Sequence, residues 1–268
     1  MTMTPTLVVV SHYNAWPTDM LIALLDQMAA IPAGGPFQVR VVVNQAEERP
    51  LDLPARHAGV EVLYRPNTGY NIGAWDLGWR TGPEFACYLF LQEECQILRP
   101  DWVGAFVRLA MDPKVGLVGE RLHWENFSWR RLDRYYVDFP FAARVDGREV
   151  PIPVGVRHSL ARLGIEAGRT GAHLQSLVVC ARREILVATD GFLIGRDYAE
   201  ATVAEVAASK RVEAMGLQVR EVGRGGSFRY ILHPQWADKQ GNWKRTIMRL
   251  VEPWVPVPIA AKLRKRST

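Results

Sequence analysis

The chain has 268 residues, 48% of them hydrophobic, and a formal net charge of +5 at pH 7. This hydrophobic content excludes an intrinsically disordered chain, and the length suits one large domain or two small ones. The three cysteines, Cys87, Cys95 and Cys180, lack paired spacing, which excludes a disulfide framework or a structural zinc cluster and favours a reducing compartment.

Strands and helices are predicted to alternate along the first 120 residues. Apolar β-branched runs predict strands at 7–10, 37–43, 60–64, 86–91 and 115–118. Amphipathic patterns predict helices at 19–30 and at 101–110, with Thr18 or Asp19 and then Asp101 as caps, and residues 65–80 are predicted as a Gly/Asn-rich loop that enters a helix. This alternation predicts an α/β fold with a mainly parallel central sheet and flanking helices. Ligands bind beyond the carboxyl ends of such strands, so we expect one crevice around residues 11–14, 44, 67–76 and 92–95.

The pattern is looser after residue 120. Residues 123–139 are aromatic and charged, which favours a surface loop or a segment that faces substrate. A strand is predicted from 173 to 180, a helix from 197 to 215 that ends at Gly216, and strands at 217–222 and 228–232.

The excess positive charge lies at the C-terminal end. Residues 238–268 contain eight basic and two acidic residues, so the other 237 residues carry a net charge of −1. These 237 residues are therefore not expected to bind nucleic acid. Tryptophan and aliphatic residues interleave with the basic ones, which predicts a basic amphipathic tail at 236–268 that contacts an anionic membrane. The alternative is a helix that packs on the rest of the chain. No 18-residue apolar run is present, so the sequence predicts a cytoplasmic protein, peripheral to the inner face of the membrane.

The order of several segments resembles GT-A glycosyltransferases of the family 2 type, including rhamnosyltransferase-like and rhamnan-synthesis-like members. The segments are LVVVSHYN (7–14), VRVVVN (39–44), RPNTGYNIGAWDLG (65–78), LFLQEECQILRPDWV (89–103) and GFLIGRDYAEATVAEVAASKRVEAMGLQV (191–219). The resemblance implies one GT-A-like domain over 1–235, with a nucleotide-sugar half at 1–120 and an acceptor half at 121–235. It also implies transfer of a hexosyl or deoxyhexosyl group to a glycan or glycolipid, with inversion, in surface polysaccharide biosynthesis.

A donor site is expected in the first half. Asparagine side chains bond bases, riboses and phosphates, and glycines in the 67–76 loop let a ligand approach the backbone. Tyr13 could stack on the base or pack beneath its own loop, and the loop asparagines could instead cap the following helix. The candidate nucleotide-sugar-binding residues are Ser11, Tyr13, Asn44, Asn67, Asn71, Asp76 and Glu93.

The resemblance also implies a metal site. Glu93 and Cys95 occupy the two ligand positions of the family's Asp-x-Asp, which holds Mn²⁺ or Mg²⁺ on the donor diphosphate. A thiol is a poor ligand for Mg²⁺, so Glu94 is a substitute, and His233, after the last strand, is a further candidate. A solvated acidic turn is the alternative.

An inverting transfer needs a carboxylate base near the attacking hydroxyl. Counting back from Gly216, the resemblance places it at Glu205, with Glu200 and Asp197 close by. Val206 follows Glu205 where relatives carry an acidic residue, and the Glu93–Cys95 segment also departs from the family pattern. A non-catalytic, glycosyltransferase-like nucleotide-binding or scaffold subunit is therefore the alternative function.

Overall fold

The computed structural model describes residues 6–137, 142–223 and 228–234, so the predicted tail at 236–268 lies outside the described residues. The strands are β1 (Thr6–Tyr13), β2 (Phe37–Gln45), β3 (Glu61–Pro66), β4 (Cys87–Gln92), β5 (Gln96–Ile97), β6 (Val115–Gly119), β7 (Leu122–His123), β8 (Ala142–Val145), β9 (Arg148–Pro151), β10 (His173–Leu174), β11 (Val178–Arg182), β12 (Gln218–Glu221) and β13 (Ile231–Leu232). The helices are α1 (Asp19–Ala30), α2 (Tyr70–Arg80), α3 (Gly104–Ala110), α4 (Trp129–Tyr135), α5 (Ile152–Arg162), α6 (Arg183–Ala188) and α7 (Tyr198–Ala214).

Seven strands form the central sheet, in the order β12-β6-β11-β4-β1-β2-β3. Strands β4, β1, β2 and β3 are mutually parallel, and β12 is parallel to β6. Strand β11 runs antiparallel to both of its neighbours. The predicted α/β fold with a mainly parallel sheet is confirmed.

Both faces of the sheet are covered, which explains why β1 is apolar along its length rather than alternating. Val8 and Val10 belong to one core cluster, where α1 and α3 pack. Leu7 and Val9 point to the opposite face, where α2 and α7 pack. A third cluster joins α4, α5 and α7 away from the main sheet. Within the described residues, no helix has both the length and the apolarity needed to span a membrane.

Two local predictions are wrong. Asp101 does not cap the third helix, which begins at Gly104 after Val103, and the Asp101 carboxylate instead pairs with Arg108. The predicted strand at 173–180 is two strands, β10 and β11, which belong to different sheets.

The described part of the segment 123–139, which ends at residue 137, is not a surface loop. It contains α4, capped by the Ser128 hydroxyl, and Trp124, Phe127 and Trp129 are buried in the third core cluster. The aromatic residues therefore build a small core of their own, and sequence reasoning missed β8, β9 and α5, of which α5 contributes Val156 and Leu160 to that core.

Close packing of α2 on the sheet requires a glycine at position 78. A Cβ there would lie 2.4 Å from Val9 Cγ1 and 3.2 Å from Val42 Cγ2. We expect Gly78→Ala to lower the free energy of unfolding by about 1–3 kcal/mol, because overpacking a core outweighs the gain in helix propensity. Gly59→Ala is the control, since a Cβ at Gly59 meets nothing within 4 Å. Urea unfolding of both variants checks this, and equal stabilities would contradict it.

Candidate functional site

A cleft of about 770 Å³ opens at the carboxyl ends of β1, β2 and β4. The parallel register aligns their last residues, with Tyr13 opposite Asn44 and Ser11 opposite Gln92. Of the predicted site residues, the following line the cleft: Ser11, Tyr13, Asn44, Asn67, Asn71, Glu93, Glu94 and Glu205. The predicted crevice is therefore present.

Asn44 holds the loop that enters α2. Its Oδ1 accepts a hydrogen bond from Arg65 Nη1 at 2.6 Å, and its Nδ2 donates to the Tyr70 carbonyl at 3.1 Å. Gly69 precedes the helix with a φ of +73°, and a Cβ there would lie 2.5 Å from Ile194 Cγ2. The loop is thus built by the strand beneath it, and it leaves the exposed ring of Tyr70 along the cleft.

Aromatic side chains lie on both walls of the cleft. On the β1 side, Tyr13 and Trp16 pack edge to face with ring centroids 5.8 Å apart. On the opposite wall, Trp124 donates from Nε1 to the Tyr136 hydroxyl at 2.9 Å, and both side chains line the cleft. Flat apolar rings with nearby polar groups suit ligands such as nucleobases and sugars.

Glu93 is buried and already bonded by protein groups. His12 Nδ1 contacts Glu93 Oε2, and the Tyr13 backbone N–H donates to Oε1 at 3.1 Å. Cys95 lies in the core, where its thiol donates to the Leu177 carbonyl and burial raises its pKa to about 12. The Cys95 side chain is not among the cleft residues, and a thiol that stays protonated does not ligate a metal.

Glu94 and His233 pair a carboxylate with an imidazole at this edge. His233 Nε2 lies 3.4 Å from Glu94 Oε2 and 3.3 Å from Gln92 Oε1. The segment that carries His233 is held by Glu120, whose carboxylate accepts backbone N–H groups of residues 229, 230 and 231. Two oxygens and an imidazole thus converge beside the cleft.

Glu205 reaches the cleft from α7, with its side chain 18% exposed. Its Oε2 accepts from the backbone N–H and the hydroxyl of Ser176, each at 2.6 Å, and its Oε1 lies 3.1 Å from His173 Nε2. Burial alone raises the pKa of Glu205, but the hydrogen bonds with His173 and Ser176 outweigh it and hold the pKa below its ordinary value. The carboxylate is therefore ionised at neutral pH.

The other predicted acidic residues lie outside the cleft lining. Asp76 bonds Arg80, Trp79 Nε1 and the Phe192 N–H, so it ties α2 to the turn after α6. Asp197 caps α7 by accepting from the Glu200 N–H. Glu200 pairs with Arg196 on the surface, which lowers its pKa to about 2.

Several cleft residues were not predicted as site residues. They are His12, Trp16, Tyr70, Gln92, His123, Trp124, Tyr136, Gln175 and Ser176. The aromatic composition of 123–139, which favoured a surface loop or a segment that faces substrate, was the available signal for three of them: His123, Trp124 and Tyr136. Among the described residues, the ligand atoms of His123, His173 and Glu205 lie within 4.8 Å of one another, so these three side chains could hold a metal ion.

Neither a protein-family model nor a curated protein sequence matches the chain. Among solved structures, it is similar to GalNAc-T7 with UDP, GalNAc and Mn²⁺, at 11% identity and a TM-score of 0.50 over 81% of this chain and 42% of that one. It is also similar to the mannosyltransferase PcManGT from Pyrobaculum calidifontis with GDP-Man and Mn²⁺, at 14% identity and a TM-score of 0.49 over 98% and 73%. A third is the catalytic domain of Drosophila β1,4-galactosyltransferase 7 with xylobiose, at 10% identity and a TM-score of 0.43 over 86% and 71%. At such identities the likeness shows the fold, which is the GT-A fold of nucleotide-sugar transferases.

Proposed function

We propose that this GT-A chain is a glycosyltransferase that moves a sugar from a nucleotide-sugar donor to a glycan or glycolipid acceptor. The observation that carries the proposal is the position of Glu205. Its ionised carboxylate lies in the same cleft into which the carboxyl ends of β1, β2 and β4 open. A carboxylate base and a nucleotide-sized cleft at the strand ends are the two features that inverting sugar transfer requires.

The donor nucleotide is assigned to the β1 side. Tyr13 and Trp16 offer the base a ring surface, and Asn67 and Tyr70 line the same cleft. Asn44 acts on the donor indirectly, because both ends of its amide already bond protein groups that position the loop. This division keeps the proposed nucleotide-sugar half at 1–120 and the acceptor half at 121–235.

In the proposed reaction, an acceptor hydroxyl attacks the anomeric carbon while the bond from that carbon to the donor diphosphate breaks. The hydroxyl proton passes to Glu205 Oε1, because Oε2 already accepts two hydrogen bonds from Ser176, whereas Oε1 has one hydrogen bond, with His173 Nε2. The new glycosidic bond forms on the opposite face of the sugar, so the configuration inverts. Trp124 and Tyr136 supply the apolar wall against which the acceptor sugar packs.

A divalent metal on the diphosphate fits only part of the predicted ligand set. Glu93 is bonded by His12 and the Tyr13 N–H, and the Cys95 thiol is buried, so neither fits. Glu94 and His233 do fit, since their ligand atoms face each other beside the cleft. Mn²⁺ or Mg²⁺ held there would neutralise charge on the departing diphosphate.

The proposals for the transferred sugar and for the biosynthetic role rest on the sequence resemblance. It supports a rhamnosyltransferase-like enzyme of surface polysaccharide synthesis that transfers a hexosyl or deoxyhexosyl group. The basic composition of 236–268 supports peripheral contact with an anionic membrane. The alternative remains a scaffold subunit without activity, which the bonded state of Glu93 favours, because it removes one expected metal ligand.

Calorimetry with UDP, GDP and dTDP, each with and without Mn²⁺, tests the donor site. We expect one nucleotide to bind, and Tyr13→Ala to weaken it about fivefold to a hundredfold, since stacking on an aromatic ring contributes about 1–3 kcal/mol per base. Tyr64→Ala is the control, because Tyr64 is exposed on β3 outside the cleft lining. Binding of no nucleotide, together with no sugar transfer from the matching donors, would favour the scaffold.

A further inference from the structure

A histidine and carboxylate cluster in the acceptor half has the geometry of a transition-metal site. Strands β7 and β10 pair antiparallel with His123 directly opposite His173. The ring centroids of the two histidines lie 5.3 Å apart. Helix α7 brings Glu205 against the same two side chains. Three elements that are distant in the chain thus deliver two imidazoles and one carboxylate to one wall of the cleft.

The hydrogen bonds of His173 fix its tautomer. Nδ1 lies 2.7 Å from the Gly171 carbonyl oxygen, which can only accept, so Nδ1 carries a hydrogen. The other ring nitrogen, Nε2, is directed at Glu205 Oε1 at a distance of 3.1 Å. Nε2 and Oε1 are therefore the two atoms that a metal ion placed between these side chains would take as ligands.

The surroundings of the pair also suit a metal ion. A metal-ligating histidine usually donates its other N–H to a backbone carbonyl, as His173 does, and a ligating carboxylate is usually held by further hydrogen bonds. Ser176 holds Glu205 in this way through two bonds to Oε2, which leaves Oε1 directed at His173. His123 adds a third ligand atom within 4.8 Å of the other two.

We propose that His123, His173 and Glu205 bind a zinc-type divalent transition metal, separate from the Glu94–His233 pair. Imidazoles select Zn²⁺, Co²⁺ or Ni²⁺ over Mg²⁺, and two histidines with one glutamate leave a coordination position open. Ligand atoms around tetrahedral zinc are about 3.4 Å apart, and the 3.1 Å between His173 Nε2 and Glu205 Oε1 is close to that spacing.

Metal at this site occupies Glu205 Oε1, the atom assigned to take the acceptor proton. Zinc is therefore expected to inhibit sugar transfer, a consequence that rests on the proposed function. Binding of the metal does not rest on it, because the ligands need neither donor nor acceptor.

The full chain, stripped with EDTA and free of nucleotide, is titrated with CoCl₂ while the visible absorption is recorded, and with ZnCl₂ in a calorimeter. We expect one bound metal per chain at this site and intense cobalt d–d bands typical of low coordination number. His123→Ala and Glu205→Gln should each weaken binding at least tenfold, while His158→Ala on α5 is the control histidine. Circular dichroism of each variant verifies folding.

The possible results distinguish failure of the metal site from failure of the proposed function. Undiminished binding by folded His123→Ala, or loss of binding in Glu94→Gln but not in His123→Ala, overturns the site. Metal binding that depends on His123 in a chain without transfer activity removes the proposed function and keeps the site. Transfer that depends on Glu205 in a chain that binds no Zn²⁺ removes the site and keeps the function.

Discussion

Replacing Glu205 with glutamine is expected to lower kcat for sugar transfer by about 10²–10⁴-fold, the usual contribution of a general base. Glutamine keeps the size of the side chain and can still accept from Ser176, but its amide cannot take the acceptor proton. The nucleotide should bind with unchanged affinity, because the residues proposed to bind the donor, such as Tyr13 and Trp16, do not include Glu205. Initial rates of nucleotide release, measured with the donor found by calorimetry, give the comparison.

Glu200→Gln is the matched control on the same helix. Its carboxylate pairs with exposed Arg196 outside the cleft lining, so removing that charge should leave kcat unchanged within about twofold. If Glu200→Gln lost activity and Glu205→Gln kept it, the assignment of the base to Glu205 would be wrong. Because the pKa of Glu205 is held below its ordinary value, the acidic limb of the pH–rate profile should also lie below the ordinary glutamate range.

The main sheet was predictable because local patterns carry its geometry. A continuous β-branched run such as 7–10 indicates a strand buried on both faces, and alternation with amphipathic helices indicates parallel neighbours. Asp197, predicted from the sequence only as a candidate near the base, caps α7, and a short polar residue before a helical pattern is the local signal for that role. Such features depend on residues within one or two turns of each other.

The chemistry of the site was less predictable because it depends on contacts between distant residues. Nothing near Glu93 in sequence shows that His12, 81 positions away, bonds its carboxylate. Nor does the α7 pattern show that Ser176 and His173 hold Glu205 and set its ionisation. An acidic motif therefore located the edge of the cleft but not which carboxylate remains open to ligand.

The Glu120 carboxylate leads to the second prediction, on stability. It is buried beneath the segment that carries His233, and burial raises its pKa to about 7 from an ordinary 4.5, although three backbone N–H groups donate to it. Between these two pH values the folded chain holds a proton on Glu120 that the unfolded chain has released. The free energy of unfolding must therefore fall as pH rises through this window.

The expected loss between pH 4.5 and pH 8 is about 3 kcal/mol, since one pKa unit corresponds to about 1.4 kcal/mol. The glutamine of Glu120→Gln is neutral at every pH, so the unfolding free energy of this variant should not show the fall between pH 4.5 and pH 8. It should therefore lie closer to the wild-type value at pH 4.5 than at pH 8. Glu149→Gln, at an exposed side chain, is the control. Urea unfolding at intervals across the window gives both curves; parallel curves for wild type and Glu120→Gln would show that Glu120 stays ionised in the fold. Because Glu120 bonds the backbone of residues 229–231, its ionisation acts on the segment that positions His233 beside the cleft.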